Sequence, residues 1–415
     1  MDDASALPAA PRSGATPRYA RKREAVVAAA THILNQRGVR GMTLADVAAS
    51  VGLITTSVTY YFKKKEDLAS AVFLAGIDRF DRLADAALRE RTPEARLHRF
   101  VTLYLDMKAR IRTGKETPAP TFSDVRALNE PHLAHVSAAY ADMFRKVRRL
   151  FDAPGFAWMD RRSANARTHF LMEQLFWATI WLPRYEIEDY PRIRDRMVDI
   201  LEHGLGAPGA AWAPGALKVE GRAACDPTAA SRETFLVAAT RLINRQGYRG
   251  ASVEKISAEL NVTKGSFYHH NEAKDHLVEQ CFSRTFDIMR RTQTAAIRLP
   301  GDQWTRLITA AAALVEFQLS EEGPLLRTSA LSALPETIRG AMVLESNRVS
   351  DRFSAMISDG VAEGSIRAVD PVIAAQMLNA TLNAAAELGF WVRDVRQDEA
   401  AALYARPMLM GLFVR

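Results

Sequence analysis

Cysteine is scarce in this chain of 415 residues: Cys225 and Cys281 are the two it has. That is too few for a disulfide framework and fits a reducing compartment. No apolar run reaches the roughly 18 residues that a membrane span needs, and the amino terminus lacks the apolar core of a signal peptide. A cytoplasmic protein with no membrane partner is expected. Gly-rich phosphate loops, metal-ligand spacings and nucleophile elbows are absent too. His269 and His270 are adjacent, so on a helix they point about 100° apart and are poorly placed to share a metal. Cys225 has no histidine near it in sequence. No enzyme, cofactor or metal is therefore expected.

What the chain does have is 48% apolar residues, ample for the cores of about two to four domains. Its net charge of +7 is unevenly spread, because residues 1–65 hold ten Lys or Arg against four Asp or Glu. A basic end of this kind suits a nucleic-acid partner. The chain also repeats itself. Slid by 209 positions, Ala28 to Gly41 falls on Val237 to Gly250, and the register holds through Thr43 on Ser252, Ser57 on Ser266, Lys65 on Lys274 and Phe73 on Phe282. Two copies of one unit stand in tandem.

Each copy has its own helical logic. Val26, Ala29, Ala30, Ile33 and Leu34 form the apolar face of a first helix, matched by Phe235, Ala238, Ala239, Leu242 and Ile243. Gly38 and Gly247 end that helix. Thr43 and Ser252 are good N-caps for a short second helix that buries Val47 or Ile256. After a tight turn at Gly52 or Asn261, a third helix is expected at Thr55 to Tyr61 and at Lys264 to His270. Two short helices behind a longer one make a helix-turn-helix, whose last helix enters a DNA major groove. Thr55, Thr56, Ser57, Thr59 and Tyr60 face outward with Val58 and Phe62 inward. The second copy presents Lys264, Gly265, Ser266, Tyr268 and His269, with Phe267 inward. Hydroxyls, amines and phenols of this kind serve phosphates and base edges. Lys63, Lys64 and Lys65, or Lys274, follow where backbone phosphates would lie. The competing reading is a solvated surface helix, but the β-branched run from Ile54 to Thr59 is a poor autonomous helix former.

These residues resemble the DNA-binding domain of TetR-type transcriptional repressors. The likeness rests on Gly38 to Gly41, Thr43, Tyr60-Tyr61-Phe62 and Lys65 to Leu68, and on Gly247 to Gly250, Ser252, His269-His270-Asn271 and Lys274 to Leu277. It implies that Thr43, Tyr60, Lys65, Ser252, His269 and Lys274 contact phosphates. It implies also that Thr55, Thr56, Thr59, Lys264, Gly265 and Tyr268 face base edges. The copies depart from the pattern in different places. Ile54 stands where a capping Ser or Thr is usual, at a cost of about 0.5–2 kcal/mol unless Thr55 caps instead. Thr59 replaces an aromatic, and Asn271 replaces a Phe.

The expected domain order follows. Residues 1–17, rich in Ala and Pro, read as a disordered lead; Arg18, Arg21, Lys22 and Arg23 are either an arm for a minor groove or a solvated helix start. Residues 18–73 form the first helix-turn-helix domain, and 74–205 continue as helices. Residues 206–230, rich in Gly, Ala and Pro, read as a linker; a flexible coil of that length spans roughly 28 Å. The second helix-turn-helix domain covers 231–282 and a second set of helices 283–415, with breaks at Pro300-Gly301, Gly323-Pro324, Pro335, Gly360 to Gly364 and Pro371. The late helix Val372 to Trp391 aligns with Arg162 to Trp181 and sets Asn379 and Asn383 on His169 and Glu173. Such a pair could orient a ligand, hydrogen-bond across the contact between the halves, or be a solvated stripe.

By the resemblance the fold is all-α, two tandem units, each a helix-turn-helix DNA-binding domain followed by a helical effector/dimerisation bundle. Met107, Phe122, Phe144, His169, Phe170 and Phe176 are candidates for an effector pocket, with core packing as the alternative for each. The expected protein is a one-component repressor released by an apolar small-molecule effector. It acts as an intrachain pseudo-dimer on a double-stranded DNA operator with unlike half-sites. An architectural DNA-binding protein without ligand sensing, or a regulator with one DNA-binding half, are the alternatives.

Overall fold

The computed structural model describes residues 16–221, 229–259 and 274–415. Among them the regular structure is helical, with one isolated bridge between Gly206 and Ile366. The chain divides into two compact units, Met1–Arg89 with Asp106–Arg149, and Glu90–Leu105 with Leu150–Arg415.

The first unit begins with α1 (Pro17–Gly41), capped by the Thr16 hydroxyl, which accepts from the Tyr19 amide, and started by a proline at its first position. Val26, Ala30 and Leu34 are buried along one face. Gly38, at φ 69°, kinks its last turn, a conformation that L side chains adopt at a cost. In α2 (Leu44–Ser50) the Thr43 side chain caps by accepting from the Asp46 amide. Gly52 turns the chain at φ 66° into α3 (Thr55–Tyr61). Leu68, Val72, Phe73, Ile77 and Phe80 of α4 (Lys65–Ala87) pack with Val136, Met143, Phe144 and Val147 of α6 (His132–Arg148). A side chain at Gly76 would meet Pro120 at 2.6 Å, so glycine lets the 117–122 stretch lie directly on α4. Helix α5 (Pro93–Arg112) lies in the chain between α4 and α6.

In the second unit, α7 (Arg161–Trp181) and α8 (Tyr190–His203) close the first half of the chain. The second half supplies α9 (Ala229–Gly250), α10 (Val253–Glu259), α11 (Lys274–Ile297), α12 (Gln303–Gln318) and α13 (Glu336–Glu363). It ends with α14 (Pro371–Ala384), the single turn α15 (Leu388–Trp391) and α16 (Gln397–Met410). Burial runs round most of α7 and α14 rather than along one stripe, as expected of helices enclosed by others. These two pack on each other, and α16 packs on both α7 and α8. Gln174 donates to the Met377 carbonyl and the Thr381 hydroxyl, Trp177 to Gln376, and Arg167 to the Leu412 and Val414 carbonyls. Arg367 donates to the Asp199 carboxylate and to the Gly204 carbonyl at the end of α8.

Several expectations need correction. The boundaries at residues 73 and 282 fall inside α4 and α11, each a single uninterrupted helix. The lead does not extend to residue 17, since Pro17 already opens α1, and Arg18, Arg21, Lys22 and Arg23 ride on its first turns as a helix start. The linker is not a free coil over 206–221. Its backbone is bound through Ala207 to Ser365, Ala211 to the Trp304 indole, Gly215 to the Thr309 hydroxyl and Gly221 to Arg291. Within the break expected at Gly360 to Gly364, the helix ends at Gly364, while Gly360 still lies in α13, where its missing side chain admits Ile366. The helix expected at 372–391 is interrupted by a 3-10 turn at Ala385–Glu387.

Candidate nucleic-acid interface

Helix α3 is held from below and open above. Val58 and Phe62 are buried, while Thr55, Thr56 and Tyr60 are exposed. Ile54 occupies the N-cap with no side-chain bond, so Thr55 does not take over that task. Thr59 is half-buried and its hydroxyl donates back to the Thr56 carbonyl at 2.9 Å, which turns it away from solvent. Tyr60 stands against Tyr19 and Tyr61 in an aromatic trio that ties the start of α1 to the end of α3. Lys22, Leu53, Thr56, Ser57, Tyr60 and Tyr61 line a recess of about 320 Å³ on this face. An ammonium, three kinds of hydroxyl and a helix start around one recess suit a phosphate and the adjoining base edge.

The remaining first-copy candidates are tied into the scaffold. Thr43 donates to the Asp46 carboxylate and accepts from its amide, so its hydroxyl serves the α2 cap. The Lys65 ammonium donates to the Arg40 carbonyl at 3.2 Å, which pins the start of α4 to the end of α1. Lys63 and Lys64 are exposed, and the Arg23 guanidinium lies over the Phe62 ring at 4.9 Å. Sequence reading passed over Tyr19; its place in the first turn of a helix capped by Thr16 was the available signal.

In the second copy Gly247 repeats the kink at φ 73°, and the Ser252 hydroxyl accepts from the Lys255 amide as the cap of α10. Lys264, Gly265, Tyr268 and His269 lie outside the described residues, as do Asn271 and Cys225. Lys274 is the first residue of α11.

The structure also repeats a contact that the sequence did not announce. Asn35 of α1 donates to the Ala119 carbonyl and accepts from the Thr121 amide, each at 3.0 Å. Asn244, its counterpart on α9, donates to the Leu325 carbonyl at 2.9 Å and accepts from the Arg327 amide at 3.0 Å. In both copies one amide side chain clamps the long helix of the DNA-binding domain to a loop of the following bundle.

The effector candidates are distributed rather than gathered. Met107, Phe122 and Phe144 are in the first unit, where Phe122 packs edge-on between Phe80 and Tyr140. His169, Phe170, Phe176, Asn379 and Asn383 are in the second. Phe170 is fully buried under Tyr404, and Phe176 is half-buried. Asn379 donates to the Ser350 hydroxyl, while Asn383 donates to the Asn379 carbonyl and accepts from the Thr328 amide. Both are thus bonded within the second half. Their counterparts reach across: His169 bonds the Tyr404 hydroxyl, and Glu173 pairs with Arg327. Next to Met107 in the chain, Lys108 is half-buried, and burial, with the Arg79 charge beside it, pushes its ammonium down to about 8.

The model of bacterial regulatory proteins of the tetR family matches twice, at residues 26–72 and 235–281. The HTH-type transcriptional repressor DhaR of Mycobacterium sp. (strain GP1) is 29% identical over 141 residues, 33% of this chain and 70% of its own. The TetC protein of transposon Tn10 from Escherichia coli is 23% identical over 150 residues, 35% of this chain and 74% of its own. Among solved structures, AibR in complex with isovaleryl coenzyme A and operator DNA is 20% identical and covers 41% of this chain and 92% of that one, at a TM-score of 0.33. A putative fatty acid metabolism regulator of Clostridium perfringens is 16% identical, with 44% and 99% covered, at 0.36. The two family matches fall on the two copies of the repeat, each with its kinked long helix and its capped second helix. Residues 26–72 and 235–281 are thus two tetR-family DNA-binding units standing in tandem in one chain.

Proposed function

We propose that one chain acts as an internal dimer, a cytoplasmic repressor that reads an operator with unlike half-sites and leaves it when an apolar small molecule binds. The observation that carries this reading is the contact of α7 and α8 with α14 and α16. Asn165 donates to the Trp391 carbonyl near one end, and Trp177 donates to Gln376 towards the other. The helices α7 and α14 therefore run antiparallel, and repeat-equivalent positions meet near their middles, as a two-fold contact between equal halves requires. Unlike half-sites follow from unlike recognition residues: Thr55, Thr56 and Thr59 against Lys264, Gly265 and Tyr268. The repressor sign is supported by the likeness to DhaR. The Asn35 and Asn244 clamps supply a route by which a ligand in either bundle would tilt a recognition helix, and coupling of that kind is reciprocal.

The test is selection of bound duplexes from a random DNA library with the full chain. Enrichment of one site with two different half-sites about one duplex turn apart, roughly 34 Å, is expected, with one chain per site. A palindrome occupied by two chains would overturn the internal-dimer reading. A single enriched half-site would leave one DNA-binding half.

A further inference from the structure

Where α7 meets the second half, His169, Glu173 and Glu387 bring one ring nitrogen and two carboxylate oxygens within 4.8 Å of one another. The His169 Nε2 atom lies 3.7 Å from Glu173 Oε1 and 3.9 Å from Glu387 Oε2, and the imidazole is 3% exposed. Those separations exceed a hydrogen bond, about 2.7–3.2 Å between heavy atoms. They come closer to the spacing of neighbouring ligands round a tetrahedral Zn²⁺, about 3.4 Å for bonds of about 2.0–2.1 Å.

The three groups are aimed at one another by what holds their other ends. The Tyr404 hydroxyl is 3.0 Å from His169 Nδ1. The second oxygen of Glu173 accepts from Arg327 at 3.1 Å, and the second oxygen of Glu387 pairs with the same guanidinium. A metal-binding imidazole has its far nitrogen fixed in this way, and metal-binding carboxylates have their far oxygens bonded. Charge points in the same direction. Two carboxylates share one guanidinium in a site whose four members are at most 18% exposed, where little water competes for a cation.

We propose that His169, Glu173 and Glu387 bind a divalent transition-metal ion of the Zn²⁺ kind, which joins the two halves of the chain. One imidazole and two carboxylates form a set that Zn²⁺ accepts, with a fourth position left to water; Mg²⁺ and Ca²⁺ prefer oxygen alone. Two ligands come from α7 in the first half and the third from the 3-10 turn at Ala385–Glu387 in the second. Arg327 extends the site further, because its backbone amide is held by Asn244 of α9. The metal thus acts on a residue anchored to the second DNA-binding domain.

The experiment is calorimetric titration of the full chain, stripped with a chelator, with Zn²⁺, repeated with Co²⁺ as a visible-absorbing probe. One ion per chain is expected, with a rise of several degrees in the unfolding midpoint at saturation, since only the folded chain presents all three ligands. His169→Gln and Glu387→Gln should each weaken binding at least a hundredfold. Tyr404→Phe should weaken it about tenfold, and His98→Gln, on the surface, should change nothing. Circular dichroism of each variant reports folding, and Glu387→Gln carries the test should His169→Gln fail to fold. No heat and no stabilisation at roughly millimolar Zn²⁺ would overturn the proposal, as would binding that survives Glu387→Gln.

Discussion

Ile54 begins the recognition helix of the first copy with 70% of its surface exposed and with no cap for the amides behind it. Ile54→Ser should stabilise the chain by about 0.5–1 kcal/mol through the restored cap, measured by urea unfolding. The same change removes apolar surface suited to a thymine methyl, so operator affinity should fall while stability rises. Lys108 is a second residue whose environment costs stability. Its folded pKa of about 8 lies below the ordinary 10.5, so between those values the unfolded chain holds more protons and stability climbs with pH. Below pH 8 the penalty is complete. Lys108→Met should abolish that part of the climb, about 3 kcal/mol, in unfolding curves taken between pH 7 and 10.5. At this scale the sequence was readable wherever a residue acts on its neighbours. Thr43 and Ser252 cap, Gly38 and Gly247 kink, and Val58 is buried because local geometry demands it. Glu387 was not readable beside His169, since only tertiary packing brings them together.

Among the elements, α4 and α11 were each divided in two by a reading that looked for the end of a motif. Hydrophobic spacing does not change where one domain's residues give way to the next, and Gly76, the one glycine of α4, does not break the helix. The result is a lever: motion of the bundle end of α4 must appear at Lys65, beside α3. The asparagine clamps brace α1 and α9 in a comparable way. Asn35→Ala should raise amide hydrogen exchange at Thr121, where the lost acceptor leaves the amide unbonded, and leave Arg327 protected. Asn244→Ala should do the reverse. Each loss is expected to cost about 1–3 kcal/mol. Equal effects at both loops from either change would show that the two copies do not move separately.

For the whole chain, the doubling was legible because the repeat holds register without a gap, and the all-α class followed from it. What periodicity could not show is which helices of one copy face which of the other, because α7 and α14 are buried nearly all round, α7 with polar residues among those buried, and neither has a single preferred face. Nor could composition show that residues 206–221 are bound along their length, since a docked strap and a free coil use the same small residues. The contact between α7 and α14 lies within one chain, so the unfolding midpoint should not change with chain concentration over a hundredfold range, whereas a dimer of separate subunits would shift. That shared chain has a further consequence. In a homodimer each substitution is made twice, and two acidic residues near the axis would face their own copies. Here His169 and Glu173 on the first half correspond to Asn379 and Asn383 on the second, and the first pair reaches across to Tyr404 and Arg327 while the second bonds within its own half, so either half can change without altering the other. A tandem chain thereby leaves its two halves free to differ.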